Sequence, residues 1–216
     1  MARNESFDIA GPAGRLEAIL MHPDETPVAA AVVCHAHPLQ GGVMHFKVVF
    51  RAAKALQARG VAALRFNFRG VGTSEGTHDH GRGEQDDVTA ALDELARRFP
   101  GLPLVLGGFS FGSAMALRVA ARDARPRAVF ALGFPAAMVT DPAFVQAVRA
   151  PRLFVQGERD GIGPPERLRA LVEASPEPRR LVVIPEADHF FTGKLDALEA
   201  AIGAWAGERP WQETAA

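Results

Sequence analysis

The sequence predicts an α/β fold with a mostly parallel, twisted β-sheet and helices on both of its faces. Two observations predict it. Short apolar runs alternate with longer segments at helical spacing, which is typical of β-α-β units. Several of these runs, such as Ala29–Cys34, are hydrophobic throughout, as expected for strands buried on both faces. The length of 216 residues suits one domain over residues 1–216.

The N-terminal half predicts an antiparallel hairpin and then parallel units. Gly11–Gly14 separates partly alternating runs at Ser6–Ile9 and Leu16–Met21, which favours a hairpin. The elements predicted next are a strand at Ala29–Cys34, a helix at Val43–Arg59, a strand at Val61–Phe68 and a helix at Glu84–Phe99.

The C-terminal half continues the alternation. Its predicted elements are a strand from Leu104 followed by a helix through Arg122, a strand at Ala128–Leu132, a short segment at Pro142–Val148, a strand at Arg152–Gln156, a helix at Glu166–Ala174, a strand at Arg180–Ile184 and a helix at Leu195–Ala206. Little chain separates Leu132 from Arg152, so no lid domain is predicted there. The tail after Gly207 is expected to be loose.

The composition indicates an ordinary globular protein, with 48% hydrophobic and 23% charged residues. A net charge of -1 gives no electrostatic reason to expect binding to nucleic acid or to an anionic membrane. No apolar run approaches the roughly 18 residues of a membrane helix, and the start lacks the apolar core of a signal peptide. A cytoplasmic location is therefore expected. The single cysteine, Cys34, excludes an internal disulfide and is expected in the core.

The segment Gly108-Phe-Ser-Phe-Gly112 lies between a buried strand and a helix. This pattern predicts a tight strand-to-helix turn, in which only glycine fits two positions before and after the serine. Such a turn exposes the Ser110 hydroxyl as a nucleophile. It also leaves the Phe111 amide at a helix N-terminus, where N–H groups can bind an oxyanion.

A serine nucleophile needs a base, and the base needs an orienting carboxylate. His189 follows the last predicted strand, and Asp160 follows the strand before it. Loops at the carboxyl ends of parallel strands meet at one edge of the sheet, so these residues are the candidates for base and carboxylate. Glu158 and Asp188 are the local rivals of Asp160. Asp188 adjoins His189 and is expected to order the loop instead.

These motifs, together with His35-Ala-His-Pro-Leu-Gln-Gly-Gly42, resemble the α/β-hydrolase superfamily, whose triads occur in the chain order Ser, Asp, His. The resemblance is to its small, cap-less branch near the dienelactone-hydrolase-like proteins, and to a serine hydrolase group with an H-x-H-P-x-x-G-G loop. It implies that this loop supplies a second oxyanion donor, the His37 amide. Pro38 has no N–H, and Leu39 is the alternative. Strict dienelactone hydrolases use a cysteine nucleophile, so their substrate is not implied here.

The absence of a lid predicts an open, apolar cleft that suits small to medium acyl groups. Its expected lining is Phe111, Phe134, Met138, Phe190 and Phe191, of which Phe134, Met138 and Phe190 are the candidate substrate-binding residues; ordinary core packing is the alternative for each.

The resulting hypothesis is a serine hydrolase of small-molecule carboxylic esters or thioesters that needs no cofactor. A peptidase or amidase of the same fold and a non-catalytic binding protein are the alternatives. His35 and His37 are expected to structure their loop rather than bind a metal, because no carboxylate or thiolate completes the set. The glycine-rich loop Arg69–Gly76 is expected to be a turn rather than a dinucleotide site, since the next helix starts too late. A monomer and a homodimer are both compatible with the sequence.

Overall fold

A computed structural model describes residues 3–212 and contains one eight-stranded sheet. Its strands are β1 (Asn4–Gly11), β2 (Gly14–Met21), β3 (Ala29–Cys34), β4 (Val61–Phe66), β5 (Leu104–Phe109), β6 (Pro126–Leu132), β7 (Arg152–Gly157) and β8 (Arg179–Ile184). Their order across the sheet is β1-β2-β4-β3-β5-β6-β7-β8. The β1–β2 hairpin and the β2–β4 pair are antiparallel, and every other pair is parallel.

Six helices cover the sheet on both faces. They are α1 (Lys47–Gln57), α2 (Gly83–Arg98), α3 (Phe111–Ala120), α4 (Ala143–Ala147), α5 (Pro165–Glu173) and α6 (Leu195–Gly207). Buried residues of α1 and α6 belong to the core on one face, and those of the other four helices to the core on the opposite face. The α/β fold class predicted from the sequence is therefore confirmed.

The parallel strands place several loops on one rim of the sheet. Cys34 of β3 pairs with Gly108 of β5, and Gly157 of β7 pairs with Ile184 of β8. The loops that follow these strands therefore leave the sheet together. Within residues 3–212, the only helix between β6 and β7 is the short α4, so no lid covers this rim. None of the described helices is both long and apolar enough to cross a bilayer.

The central strands are buried along their whole length, which explains their near-continuous apolar sequences. Every residue of β3, β4, β5 and β7 is buried. Cys34 is among them and has no exposed surface. Burial, reinforced by the negative charge of Asp87, raises the pKa of its thiol well above the ordinary value. Cys34 is thus an inert core residue, as expected.

The predicted boundaries agree with the structure to within two residues, apart from two regions. Helix α1 begins at Lys47 instead of Val43, because the preceding residues form a turn in which the Met44 amide donates to Asn67 Oδ1 at 2.8 Å. The tail is not loose up to Gln212. Pro210–Gln212 forms a 3-10 turn, and the Trp211 side chain is buried in the core with α1 and α6. Residues 213–216 lie outside the described part of the chain.

Candidate active site

Ser110 occupies the sharp turn between β5 and α3 in a backbone conformation that side chains rarely adopt, with φ 53° and ψ -119°. A Cβ at Gly112 would lie 2.3 Å from the His35 carbonyl oxygen, and one at Gly108 would lie 2.7 Å from the Cys34 carbonyl oxygen. Both flanking glycines are therefore required by close backbone approach, as the motif predicts. The Ser113 hydroxyl braces the turn by donating to the Ser110 carbonyl at 2.6 Å.

The three triad candidates, which are far apart in the sequence, form one hydrogen-bonded line. His189 Nε2 lies 3.0 Å from Ser110 Oγ, and His189 Nδ1 lies 2.8 Å from Asp160 Oδ2. Because an ionised carboxylate can only accept, Nδ1 carries the proton and Nε2 is left to accept from the serine hydroxyl. His189 and Asp160 are only 5% and 2% exposed, so these bonds are shielded from water.

The Asp160 carboxylate is held by donors on both oxygens. Oδ1 accepts from the amides of Ile162 and Gly163 at 2.9 and 2.7 Å. Oδ2 accepts from Gln156 Nε2 at 2.7 Å in addition to His189. These bonds fix the orientation of the carboxylate toward the imidazole.

Gln156 is a site residue that the sequence analysis missed. Its side chain is fully buried, and its Oε1 accepts from the Phe134 amide at 2.9 Å while its Nε2 donates to Asp160 and to the Gly163 carbonyl. It therefore ties the loop after β6 to the loop that carries the carboxylate. The only available signal was a polar residue at the end of an otherwise apolar strand.

The rival carboxylates perform local tasks. Asp188 Oδ1 accepts from the amides of Phe190 and Thr192 at 3.0 and 2.9 Å, so it orders the His189 loop as expected. Glu158 accepts from the Glu186 amide at 2.8 Å and is exposed. Neither contact involves the imidazole of His189.

The loop after β3 places His37 beside the start of α3. The rings of His37 and Phe111 lie 5.0 Å apart, and both residues line the same cleft as Ser110. The Leu39 amide already donates to His37 Nδ1 at 3.2 Å. Of the two loop amides considered, that of His37 is therefore the better oxyanion candidate. The first amides of a helix have no partner in a preceding turn, which leaves that of Phe111 suited to the same task.

The buried side chain of His35 holds this loop in place through two hydrogen bonds. Its Nε2 accepts from the Phe68 amide at 3.1 Å, and its Nδ1 donates to the Ala36 carbonyl at 2.7 Å. This pattern requires a neutral ring, and burial lowers the pKa of His35 to about 4. His35 is thus a loop-structuring residue.

This burial predicts a pH-dependent stability. The unfolded chain binds the proton near pH 6.5 and the folded chain only near pH 4. The free energy of unfolding should therefore decrease as the pH falls from 6.5 to 4, by up to about 3 kcal/mol from this group. The free energy of unfolding is measured with urea at several pH values between 4 and 6.5. Its dependence on pH should be weaker in His35→Gln than in the wild type. His45→Gln, which changes an exposed histidine, should keep the wild-type dependence. An equal dependence in all three proteins would contradict this role.

The triad opens into a cleft of about 290 Å³. Phe111, Met138 and Phe190 line it, and the latter two are 68% and 50% exposed at its rim. Two residues expected in the lining are elsewhere. Phe134 is fully buried against Phe154, 6.2 Å between ring centroids, because its backbone is tied inward by Gln156.

Phe191 is the second residue that is not in the lining. It is fully buried in the core with α1 and α6, where its ring lies 6.5 Å from that of Phe109. Its positive φ of 54° turns its side chain away from its neighbour Phe190 at the rim. Of these two adjacent aromatic residues, Phe190 therefore lies at the rim of the cleft and Phe191 in the core.

The side chains of His37, His78 and His80 form a group of neighbouring rings. The His78 ring is 4.9 Å from that of His37 and 5.2 Å from that of His80. Burial, and then the nearby charge of His78, lower the pKa of His37. Within residues 3–212, no three His, Cys, Asp or Glu side chains come together in a way that could hold a metal ion.

Comparisons with known proteins agree with the fold described above. A family model described as an alpha/beta hydrolase domain matches residues 29–199. The uncharacterised protein RP471 of Rickettsia prowazekii is 35% identical over 201 residues, which cover 89% of this chain and 84% of that protein.

Two solved structures are similar over nearly the whole chain. The lid-less serine hydrolase XC6422 of Xanthomonas campestris has 36% identity and a TM-score of 0.87, covering 98% of this chain and 97% of its own. A dienelactone hydrolase from Anabaena variabilis has 21% identity and a TM-score of 0.79, covering 94% and 96%. At that identity it shows the shared fold alone.

Proposed function

Because the chain belongs to the alpha/beta hydrolase family, we propose that it is a serine hydrolase that cleaves carboxylic esters or thioesters of small to medium acyl groups. The observation that carries this proposal is the unbroken line from Ser110 Oγ through His189 to Asp160, which opens into a cleft. A non-catalytic binding protein on this scaffold would not need to hold these three side chains within hydrogen-bonding distance of one another.

In the first half of the reaction, Ser110 Oγ attacks the acyl carbon while His189 Nε2 accepts its proton. Asp160 keeps the proton of Nδ1 in place and stabilises the imidazolium. The amides of Phe111 and His37 bind the oxyanion, a contribution of about 3 kcal/mol for each donor. His189 then protonates the leaving alcohol or thiol as the acyl-enzyme forms.

In the second half, water takes the place of the leaving group. His189 Nε2 removes a proton from this water as it attacks the acyl carbon, and the same proton returns to Ser110 Oγ when the acid leaves. The water comes from solvent, and each proton transfer passes through His189 Nε2.

The dimensions of the cleft support small or medium acyl groups. Its volume of about 290 Å³ is at the lower end of the range for small-molecule sites. The exposed side chains of Met138 and Phe190 at the rim offer apolar contact without enclosing a long chain.

Labelling with a fluorophosphonate probe tests the proposal. We expect covalent modification of Ser110, mapped by peptide mass spectrometry, and turnover of 4-nitrophenyl esters that declines with long acyl chains. Faster cleavage of aminoacyl-anilides than of esters or thioesters would favour a peptidase. A folded protein that is neither labelled nor active on any of these substrates would contradict the hydrolase proposal.

A further inference from the structure

One face of α3 forms a wall of the cleft. The residues of α3 that line the cleft are Phe111, Ala114, Met115 and Arg118. Their spacing of three, four and seven positions is that of a single helical stripe. At a rise of about 1.5 Å per residue, Arg118 lies about 10 Å along the helix from Phe111. The cleft thus runs from the nucleophile to a cationic group.

Arg118 has no acidic partner. Within residues 3–212 it makes no hydrogen bond or ion pair, whereas Arg122, one turn further along, lies 3.7 Å from Asp86. The Arg118 guanidinium carbon instead lies 4.1 Å from the centroid of the Phe144 ring. A cation–π contact of this kind holds the guanidinium without using its N–H groups, which stay free to donate.

The rest of the cleft does not neutralise this charge. None of the described residues that line it is an aspartate or glutamate, and its other titratable side chains are those of His37 and His189. Arg118 is half-buried, so its charge is less screened than that of an exposed arginine. An anionic group of the substrate would therefore meet a ready, unpaired donor.

The chemistry of the triad indicates which part of the substrate reaches Arg118. The leaving group must lie beside His189 Nε2, which protonates it. Helix α3 starts at the nucleophile and extends away from it, so the part of the substrate that follows this wall is the acyl chain.

We propose that Arg118 is a specificity-determining residue that binds a carboxylate at the distal end of the acyl chain, so that the preferred substrates are half-esters or half-thioesters of dicarboxylic acids. This inference rests on the proposed hydrolase function. Arginine suits the task because its planar fork can donate two parallel hydrogen bonds to one carboxylate.

Paired substrates test the proposal. The mono-4-nitrophenyl esters of adipic and suberic acid are compared with analogues whose distal carboxylate is capped as a primary amide. We expect kcat/KM for the better acid to exceed that for its amide by about tenfold, as for a hydrogen bond between charged groups. The preference should decrease as the salt concentration rises.

Variants assign the preference to the side chain. The ratio of acid to amide should fall to about one in Arg118→Gln and below one in Arg118→Glu, and Arg118→Lys should keep part of it. Arg122→Gln, outside the cleft, should keep the wild-type ratio. Circular dichroism and thermal unfolding establish that each variant is folded.

The outcomes separate the two proposals. Hydrolysis of acid and amide at equal rates by the wild-type protein would overturn the role of Arg118 and leave the hydrolase function standing. An unchanged ratio in folded Arg118→Gln would overturn it equally. Failure of the wild-type protein to hydrolyse either member of both pairs would overturn the role of Arg118, and the hydrolase function would then be decided separately by fluorophosphonate labelling of Ser110 and the 4-nitrophenyl ester series.

Discussion

The Ser110→Ala variant is expected to lose at least about four orders of magnitude in kcat/KM for any ester that the wild-type protein cleaves. The reason is that the change removes the attacking atom and leaves only the oxyanion donors and the binding of substrate. The Ser110 hydroxyl contacts His189 at the cleft, and alanine keeps the same backbone requirement at φ 53°. Initial rates with 4-nitrophenyl esters measure the loss of activity. Urea unfolding at the same pH measures the free energy of unfolding and shows whether the variant is folded.

Ser113→Ala is the matched control for this experiment. Its hydroxyl lies three residues along the chain and only braces the turn, through the bond to the Ser110 carbonyl. Its loss should lower the free energy of unfolding by about 1 kcal/mol and leave hydrolysis within about tenfold of wild type. Wild-type rates in purified Ser110→Ala would remove the nucleophile from the proposed mechanism.

The Asp160→Asn variant is expected to lose about 10⁴-fold in kcat. The asparagine oxygen can replace Oδ1 and keep the bonds from the Ile162 and Gly163 amides. Its NH₂ group then faces His189 Nδ1 and Gln156 Nε2, where the carboxylate accepted hydrogen bonds. The imidazole must present an unprotonated Nδ1 to this donor, so Nε2 carries the proton and cannot accept one from Ser110.

Asp188→Asn is the corresponding control, because it makes the same chemical change next to His189. Its oxygen can still accept from the amides of Phe190 and Thr192, so we expect less than about tenfold loss in kcat. Steady-state kinetics of the two variants compare the carboxylates directly. A larger loss in Asp188→Asn than in Asp160→Asn would reverse the assignment of the orienting residue.

The strands and the positions of the candidate triad could be predicted from the sequence because each depends on a local pattern. The apolar run of β3 has the bounds expected from its sequence, Ala29–Cys34. Gly112 is required because a Cβ there would meet the backbone of Cys34 and His35, at the end of the neighbouring strand β3. The loop order then follows from parallel strands.

The parts that could not be predicted depend on which way a side chain faces. Phe190 and Phe191 are identical in type and adjacent, yet one lies at the rim and the other in the core. The role of Gln156 depends on the pairing of β6 with β7, which places Phe134 beside it. The sequence around Gln156 gives no sign of this contact. Trp211 lies in a segment without periodicity, so its burial could not be foreseen.

The lone short helix α4 between β6 and β7 also bears on how molecules reach the nucleophile. In enzymes with a mobile cover, entry and exit wait for that cover to swing, and discrimination is shared between the gate and the pocket. Within residues 3–212, no element has to hinge away before a small molecule meets Ser110. Selection therefore falls on the fixed walls, above all on the face of α3 that ends at Arg118.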